Sequence, residues 1–247
     1  MPKHYLIRVI CCLIPYAPIN NLSAQSVVDS SVYKQGIHNI VTQLDQGIGQ
    51  GASFYNGYVY TYHDSFIQNN AYLNDAGSWE NGTVNYDGQT FNNLPMMYDL
   101  FTDELVIQPQ MSAYPIRLVK DKVMSFELLR RKFINIGSDA YGIKSGYYEH
   151  LYDGKSTVIN KLEKIIKASN SGNGTYKYFT PVNDYQQYYI KKGDKYYPVS
   201  SEASVLDLFK DRKKELKQFI KTNGLDFNKL REVALTAIAT YYDKLTE

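Results

Sequence analysis

Three carboxylates crowd one short segment of this chain. Asp99, Asp103 and Glu104 flank Leu100-Phe101-Thr102. Carboxylates gathered at a turn can do two kinds of chemistry. They can offer Ca²⁺ several of the oxygen ligands it needs, or they can pair as acid and base, as in glycoside hydrolysis. Neither has its spacing signature here, and no EF-hand-like arrangement is present. Asp is common at turns for a simpler reason, that its side chain bonds its own backbone. That is the stronger reading. No metal ligands, catalytic residues or cofactors are assigned from the sequence.

A second set is aromatic. Tyr58, Tyr60 and Tyr62 alternate, so on a strand they share one face, and Trp79 follows nearby. The stretch from Gln35 to Ile116 is also rich in Asn and Gln. Rings offer flat apolar area and amides offer donors and acceptors, a combination suited to sugars or extended peptides. The competing expectation is that this tyrosine face is the core-facing side of a sheet. The candidate binding residues are therefore Tyr58, Tyr60, Tyr62, Trp79, Asp99, Asp103 and Glu104.

Nucleophilic chemistry has little material. Beyond residue 24 the histidines are His38, His63 and His150, and there is no Gly-x-Ser-x-Gly elbow. There is no His-x-x-x-His pair for zinc. His150 sits next to Glu149 and points to the opposite face of a strand. Lys210, Arg212, Lys213, Lys214, Lys217 and Lys221 make one C-terminal segment basic. That stretch could touch anionic lipid, giving peripheral membrane association. The interleaved Asp207, Asp211 and Glu215 argue instead for a solvated helix face.

The elements that must position these residues are legible from turn chemistry and period. Asn56-Gly57, Asn81-Gly82, Asp87-Gly88, Asp153-Gly154 and Gly193-Asp194 are hairpin-type dipeptides between runs rich in Tyr, Val, Ile, Phe or Thr. They predict about a dozen short strands, from Tyr58–Tyr62 to Lys195–Val199, joined mainly by tight turns. Ala168–Thr175 reads as a loop tip. Ile37, Ile40, Val41, Leu44 and Ile48 have helical spacing. After residue 203 the period changes to 3.6, over Val205, Leu206, Phe209, Leu216, Phe219 and Ile220. Asn223-Gly224 is a stop, and Asn228 is placed to cap a second helix running to Leu245. The expected fold is α+β: mainly an antiparallel β meander, as a curved sheet or sandwich, with a C-terminal helical hairpin. Residues 25–247 form one β-rich domain, of which 203–247 is the hairpin. The short strands and helical ending argue against an outer-membrane barrel.

Residues 1–24 read as a signal peptide. Lys3 and Arg8 precede the apolar Val9–Ile19, and Ala24-Gln25 is a plausible cleavage point. Both cysteines, Cys11 and Cys12, fall inside it, so the mature domain forms no disulfide. No later apolar run is long enough for a transmembrane helix. The whole chain carries 27 Lys+Arg and 25 Asp+Glu, and loss of Lys3 and Arg8 leaves it neutral. A nucleic-acid partner would call for a net basic footprint. The charge is unevenly spread. Gln35–Ile116 has no Lys or Arg but holds Asp45, Asp64, Asp75, Glu80, Asp87, Asp99, Asp103 and Glu104. The segment is expected to pack beside basic strands, with Arg117, Lys120, Arg130 or Arg131 pairing some of Asp87, Asp99, Asp103 and Glu104.

Several runs together resemble a known group. They are Asn81-Gly82-Thr83-Val84 with Tyr86-Asp87-Gly88, Met97-Tyr98-Asp99, Asp103-Glu104-Leu105-Val106, and Leu151-Tyr152-Asp153-Gly154. Lys195-Tyr196-Tyr197-Pro198-Val199, Lys213-Lys214-Glu215-Leu216 and Tyr241-Tyr242 complete the set. In these the chain resembles a family of uncharacterised secreted or envelope proteins of Bacteroidota-type bacteria. The resemblance implies a periplasmic or outer-membrane-associated location and brings no catalytic residues with it. The resulting expectation is an exported, non-enzymatic envelope protein that binds a protein or glycan partner. The alternative is a carboxylate-dependent hydrolase acting on an envelope or extracellular polymer through Asp99, Asp103 and Glu104.

Overall fold

The computed structural model describes residues 54, 56–109, 112–137, 142–172 and 174–247. The signal peptide over 1–24 and the helix expected over Ile37–Ile48 lie outside the described residues. The sheet begins with β1 (Tyr58–Val59), β2 (Glu80–Tyr86), β3 (Gln89–Asp99), β4 (Glu104–Ile107) and β5 (Ile116–Arg117). It continues through β6 (Val123–Leu128), β7 (Arg131–Ile136), β8 (Gly146–Tyr152) and β9 (Val158–Glu163). A hairpin of β10 (Ile166–Ser171) and β11 (Gly174–Phe179) precedes β12 (Tyr185–Lys192) and β13 (Lys195–Val199). Three α-helices follow: α1 (Glu202–Leu208), α2 (Lys213–Thr222) and α3 (Arg231–Leu245). Eleven strands make one sheet in the order β1-β5-β4-β3-β2-β6-β7-β8-β9-β12-β13, and β10-β11 stands apart. The pairings are antiparallel throughout, as expected for strands joined by short connections.

The sheet curls strongly. Four strands separate β3 from β9, yet Lys161 of β9 lies 2.7 Å from the carboxylate of Asp103, just past the end of β3. The backbone N–H of Lys164 also donates to the carbonyl of Leu100 at 3.3 Å. Among the described residues no ladder closes this seam; that backbone bond and the Lys161–Asp103 pair span it. Val84, Tyr86, Met96, Tyr98, Phe126, Phe133, Tyr147 and Leu162 are buried together in the first core. Phe126 and Phe133 stack there at 4.7 Å. A second core packs Val158, Tyr188, Ile190 and Val199 of the sheet against the helices, through Val205, Phe209, Leu216, Leu235 and Ile238.

Local signals succeeded where local geometry decides. Asp87-Gly88 (φ 52° and 80°) joins β2 to β3, and Gly193 (φ 62°) turns β12 into β13. Elsewhere the environment overrides them. Asn81-Gly82 lies inside β2, next to a register shift between Gly82 and Val84, because β3 pairs with it and β6 takes up β2 from Thr83 onward. Asn56-Gly57 precedes β1 and turns no hairpin. Asp153-Gly154 belongs to a longer connection between β8 and β9. Asp243 of α3 holds that connection by accepting from the Ser156 N–H at 3.0 Å and the Tyr152 hydroxyl at 3.1 Å. A Cβ on Gly154 would fall 2.4 Å from that carboxylate. The expected loop over Ala168–Thr175 is largely the β10–β11 hairpin, whose polar first strand, β10, lacks the apolar alternation that marks a half-buried strand. Asn228 does not cap α3. Its N–H donates to Asp226, and Leu230 takes the cap position without a side-chain bond.

One turn has no sequence signature at all. Leu129-Arg130 joins β6 to β7 with φ of 54° and 63°, a left-handed pair that favours Asn-Gly. The Phe126–Phe133 stack and the flanking ladder impose it. Replacing the pair by Asn-Gly is expected to raise stability by about 1–2 kcal/mol, since each strained non-glycine residue costs about 1–3 kcal/mol and the added glycine returns part of that as chain entropy. An unchanged or lower urea midpoint would contradict this.

Candidate functional site

Asp99 ends β3 as a fully buried carboxylate. One oxygen does what turn chemistry requires: Oδ1 accepts the N–H groups of Phe101 (2.9 Å) and Thr102 (3.1 Å). The other oxygen does more. Oδ2 accepts the Tyr60 hydroxyl at 2.7 Å and meets His63 Nε2 at 2.6 Å. The Tyr72 hydroxyl lies 3.4 Å from that of Tyr60, and Tyr72 bridges to Asp99 across the backbone. Burial, with the Tyr72 and Asp99 bonds added, pushes the Tyr60 phenol far above its ordinary range, so it remains a donor. This contact with the carboxylate fixes the orientation of the His63 ring.

The pinned imidazole lies among rings. His63 meets Phe101 at 5.5 Å and Phe179 at 5.2 Å, and those two meet at 5.6 Å. Tyr62 packs edge-on against Tyr60 at 5.6 Å. Phe179 is buried, whereas Phe101 and Tyr62 are 42% and 54% exposed, and the imidazole is 20% exposed. Phe179 also lines a small cleft of about 230 Å³ with Asn69, Asp75, Thr180 and Pro181.

Of the residues singled out by sequence, Tyr60 and Asp99 are in direct contact. Trp79 packs on the cluster of Tyr60, Tyr72, Met97 and Val106 beside them. The expected common face of Tyr58, Tyr60 and Tyr62 is corrected. β1 stops at Val59, Tyr60 turns inward to Asp99, and Tyr58 stays outside with the Arg117 guanidinium 5.1 Å over its ring. His63, Tyr72, Phe101 and Phe179 carried no signal beyond their residue types. Phe179 is 80 positions from Asp99 in sequence and is brought in by β11.

Asp103 and Glu104 do not join Asp99. Glu104 takes Arg117 at 2.5 Å and the Thr102 hydroxyl at 3.1 Å. Asp103 is held by Lys161 (2.7 Å), Lys120 (2.9 Å) and the Tyr98 hydroxyl (2.6 Å), and a Cβ on Gly146 would fall 2.5 Å from it. Burial raises the Asp103 pKa, but Lys161, Tyr98 and Lys120 outweigh it and hold the group below the ordinary aspartate value. The three carboxylates thus have three separate partner sets, which removes the convergence that both the Ca²⁺ and the paired-acid chemistries require. The acidic segment does pair with Arg117 and Lys120, as Arg117–Glu104 and Lys120–Asp103, and also with Lys122 at Asp87; Arg117 is in β5, but the two lysines lie in a short 3-10 helix rather than a strand. Arg131 instead takes Glu149 with two hydrogen bonds, and Asp99 turns to His63.

Among the described residues no helix is long and apolar enough to cross a membrane. Comparison with protein-family models, curated proteins and solved structures finds no match to this chain.

Proposed function

We propose that this chain is an exported, non-enzymatic envelope protein that binds a glycan across the surface formed by Tyr62, His63 and Phe101. The observation that carries the reading is the exposed aromatic surface of Tyr62 and Phe101 around the His63 ring, backed by buried Phe179, which also lines a small cleft with Asn69 and Thr180. Exposed ring faces suit the apolar faces of sugars, and nearby amide, hydroxyl and carboxylate groups suit their hydroxyls. The buried Asp99 fixes the His63 ring, so this surface is formed before a ligand arrives and little ordering cost falls on binding. The hydrolase alternative is weakened because Lys161 and Lys120 hold Asp103 below the ordinary aspartate value, and a carboxylate held ionised is a poor general acid.

The test is retention of the full chain by immobilised cell-envelope polysaccharide and peptidoglycan, compared with Tyr62→Ala/Phe101→Ala. The two rings are exposed, so the variant is expected to fold. Its retention should fall about tenfold or more, from loss of two ring contacts. Equal retention by the variant, or no retention of the parent chain by any glycan, would overturn the reading.

A further inference from the structure

Arg231, the first residue of α3, forms no close ion pair with a carboxylate among the described residues. Its guanidinium stands over the rings of Tyr188 at 5.8 Å and Phe227 at 5.6 Å. Its Nε is shut off from solvent and has no hydrogen-bond partner among the described residues. The acids nearby are spent elsewhere. Glu232 accepts the Tyr188 hydroxyl at 3.2 Å and lies 3.9 Å from Arg131, while Glu149 takes Arg131 by both oxygens. A half-buried cation without a counter-ion is unfavourable unless a ligand supplies one. Arg231 lines an open pocket of about 390 Å³ with Asn183, Gln186, Lys229, Leu230, Val233 and the Glu232 that is turned to Tyr188, a size that suits small ligands. Leu230 and Val233 are 60% and 57% exposed there, apolar side chains that the fold leaves uncovered. Lys229 meets Asp226 at 3.7 Å and stands out in solvent, whereas the Arg231 Nε is enclosed.

We infer that this pocket binds a carboxylate carried on an apolar stem. The carboxylate meets the planar Arg231 fork, which matches its two oxygens, and the stem lies on Leu230 and Val233. The Tyr188 and Phe227 rings hold the guanidinium in place, so the acceptor-facing geometry exists before binding. A peptide C-terminus and a fatty acid both present this chemistry. The site is separate from the His63 surface, and its test is independent of that reading.

The experiment is calorimetric titration of the full chain with N-acetyl-leucyl-leucine, the C-terminal amide of that dipeptide, octanoate and inorganic phosphate. Saturable binding of the dipeptide acid is expected if the source is a peptide end, and of octanoate if it is a lipid. The amide should bind about tenfold more weakly than its acid, and Arg231→Gln should weaken the bound acid by a similar factor, with partial recovery in Arg231→Lys. The inference is overturned if amide and acid bind equally, or if a folded Arg231→Gln variant binds as the parent does. It is also overturned if phosphate alone binds, or if neither acid saturates below about 10 mM. Should Arg231→Gln fail to fold, the acid-against-amide comparison on the unaltered chain decides.

Discussion

Replacing Asp103 by alanine is expected to destabilise the fold by about 3–5 kcal/mol, the range for breaking a buried pair by removing one partner. The substitution strips Lys161, itself 8% exposed, of its counter-ion and leaves it the Tyr147 carbonyl at 3.0 Å and the Tyr148 ring at 5.3 Å. Burial already pulls the Lys161 pKa down against the pull of Asp103, so without Asp103 it falls further. The Tyr98 hydroxyl loses its acceptor in the same step. Because Asp103 joins the end of β3 to β9 across the seam of the curled sheet, the cost should appear as a lower urea midpoint for the whole domain. The pH dependence has a definite sign. A carboxylate with a depressed folded pKa contributes stability fully above its unfolded value, and that contribution is lost as pH falls through the folded value. The Asp103 part of acid unfolding therefore lies below about pH 4, and Asp103→Asn should flatten the stability–pH slope there. Identical slopes for parent and Asp103→Asn between pH 4 and pH 2 would rule this out.

Deleting the chain from Asn228 onward is expected to abolish cooperative folding of the second core. The deletion removes Ala234, Leu235, Ile238 and Ala239, all at 1% exposure or less. It also removes Tyr242, stacked on Phe209 at 3.8 Å, and with it Asp243, the acceptor of the Ser156 N–H in the β8–β9 connection. Each fully buried Leu or Ile contributes about 1.5–3 kcal/mol, while a domain holds only about 5–15 kcal/mol of net stability. Dye binding to exposed apolar surface and a broad, non-sigmoidal urea curve are the expected signs. The milder Leu235→Ala should stay folded and cost about 2–5 kcal/mol. A truncated chain that unfolds sharply at the parent's midpoint would show that α3 is an appendage.

Secondary-structure type was legible because it follows from short-range spacing. The alternation around Val84, the 3.6 period from Val205 to Ile220, and the left-handed Asp87-Gly88 pair each depend on a few neighbouring residues. The charge layout was also legible. A long segment without bases has to find its counter-ions outside itself, and Arg117, Lys120 and Lys122 supply them just past its end, from β5 and the short 3-10 helix that follows. Asp99, Tyr60 and Trp79 were recognisable as candidates from residue type and proximity in sequence.

What only the tertiary structure decided is which of these residues meet. Asp99, Asp103 and Glu104 stand within six positions of one another, yet one is turned to Tyr60 and His63, one to Lys161 across the seam and one to Arg117. Side-chain direction alternates along a strand, and the curl of the sheet brings β9 to the end of β3, so neighbours in sequence face different surroundings. The same applies to Asn81-Gly82, a turn dipeptide held in a strand by its pairing with β3, and to Leu129-Arg130, a turn made from residues that resist it. His63 became part of a site because Tyr60 left the strand to reach Asp99, and Phe179 because β11 delivered it there. The sequence by itself determined the periods, the charge balance and the candidate residue types, which are local properties or sums over residues. The tertiary structure decided the site, since a site is set by long-range register and sheet curvature, to which every strand pairing contributes.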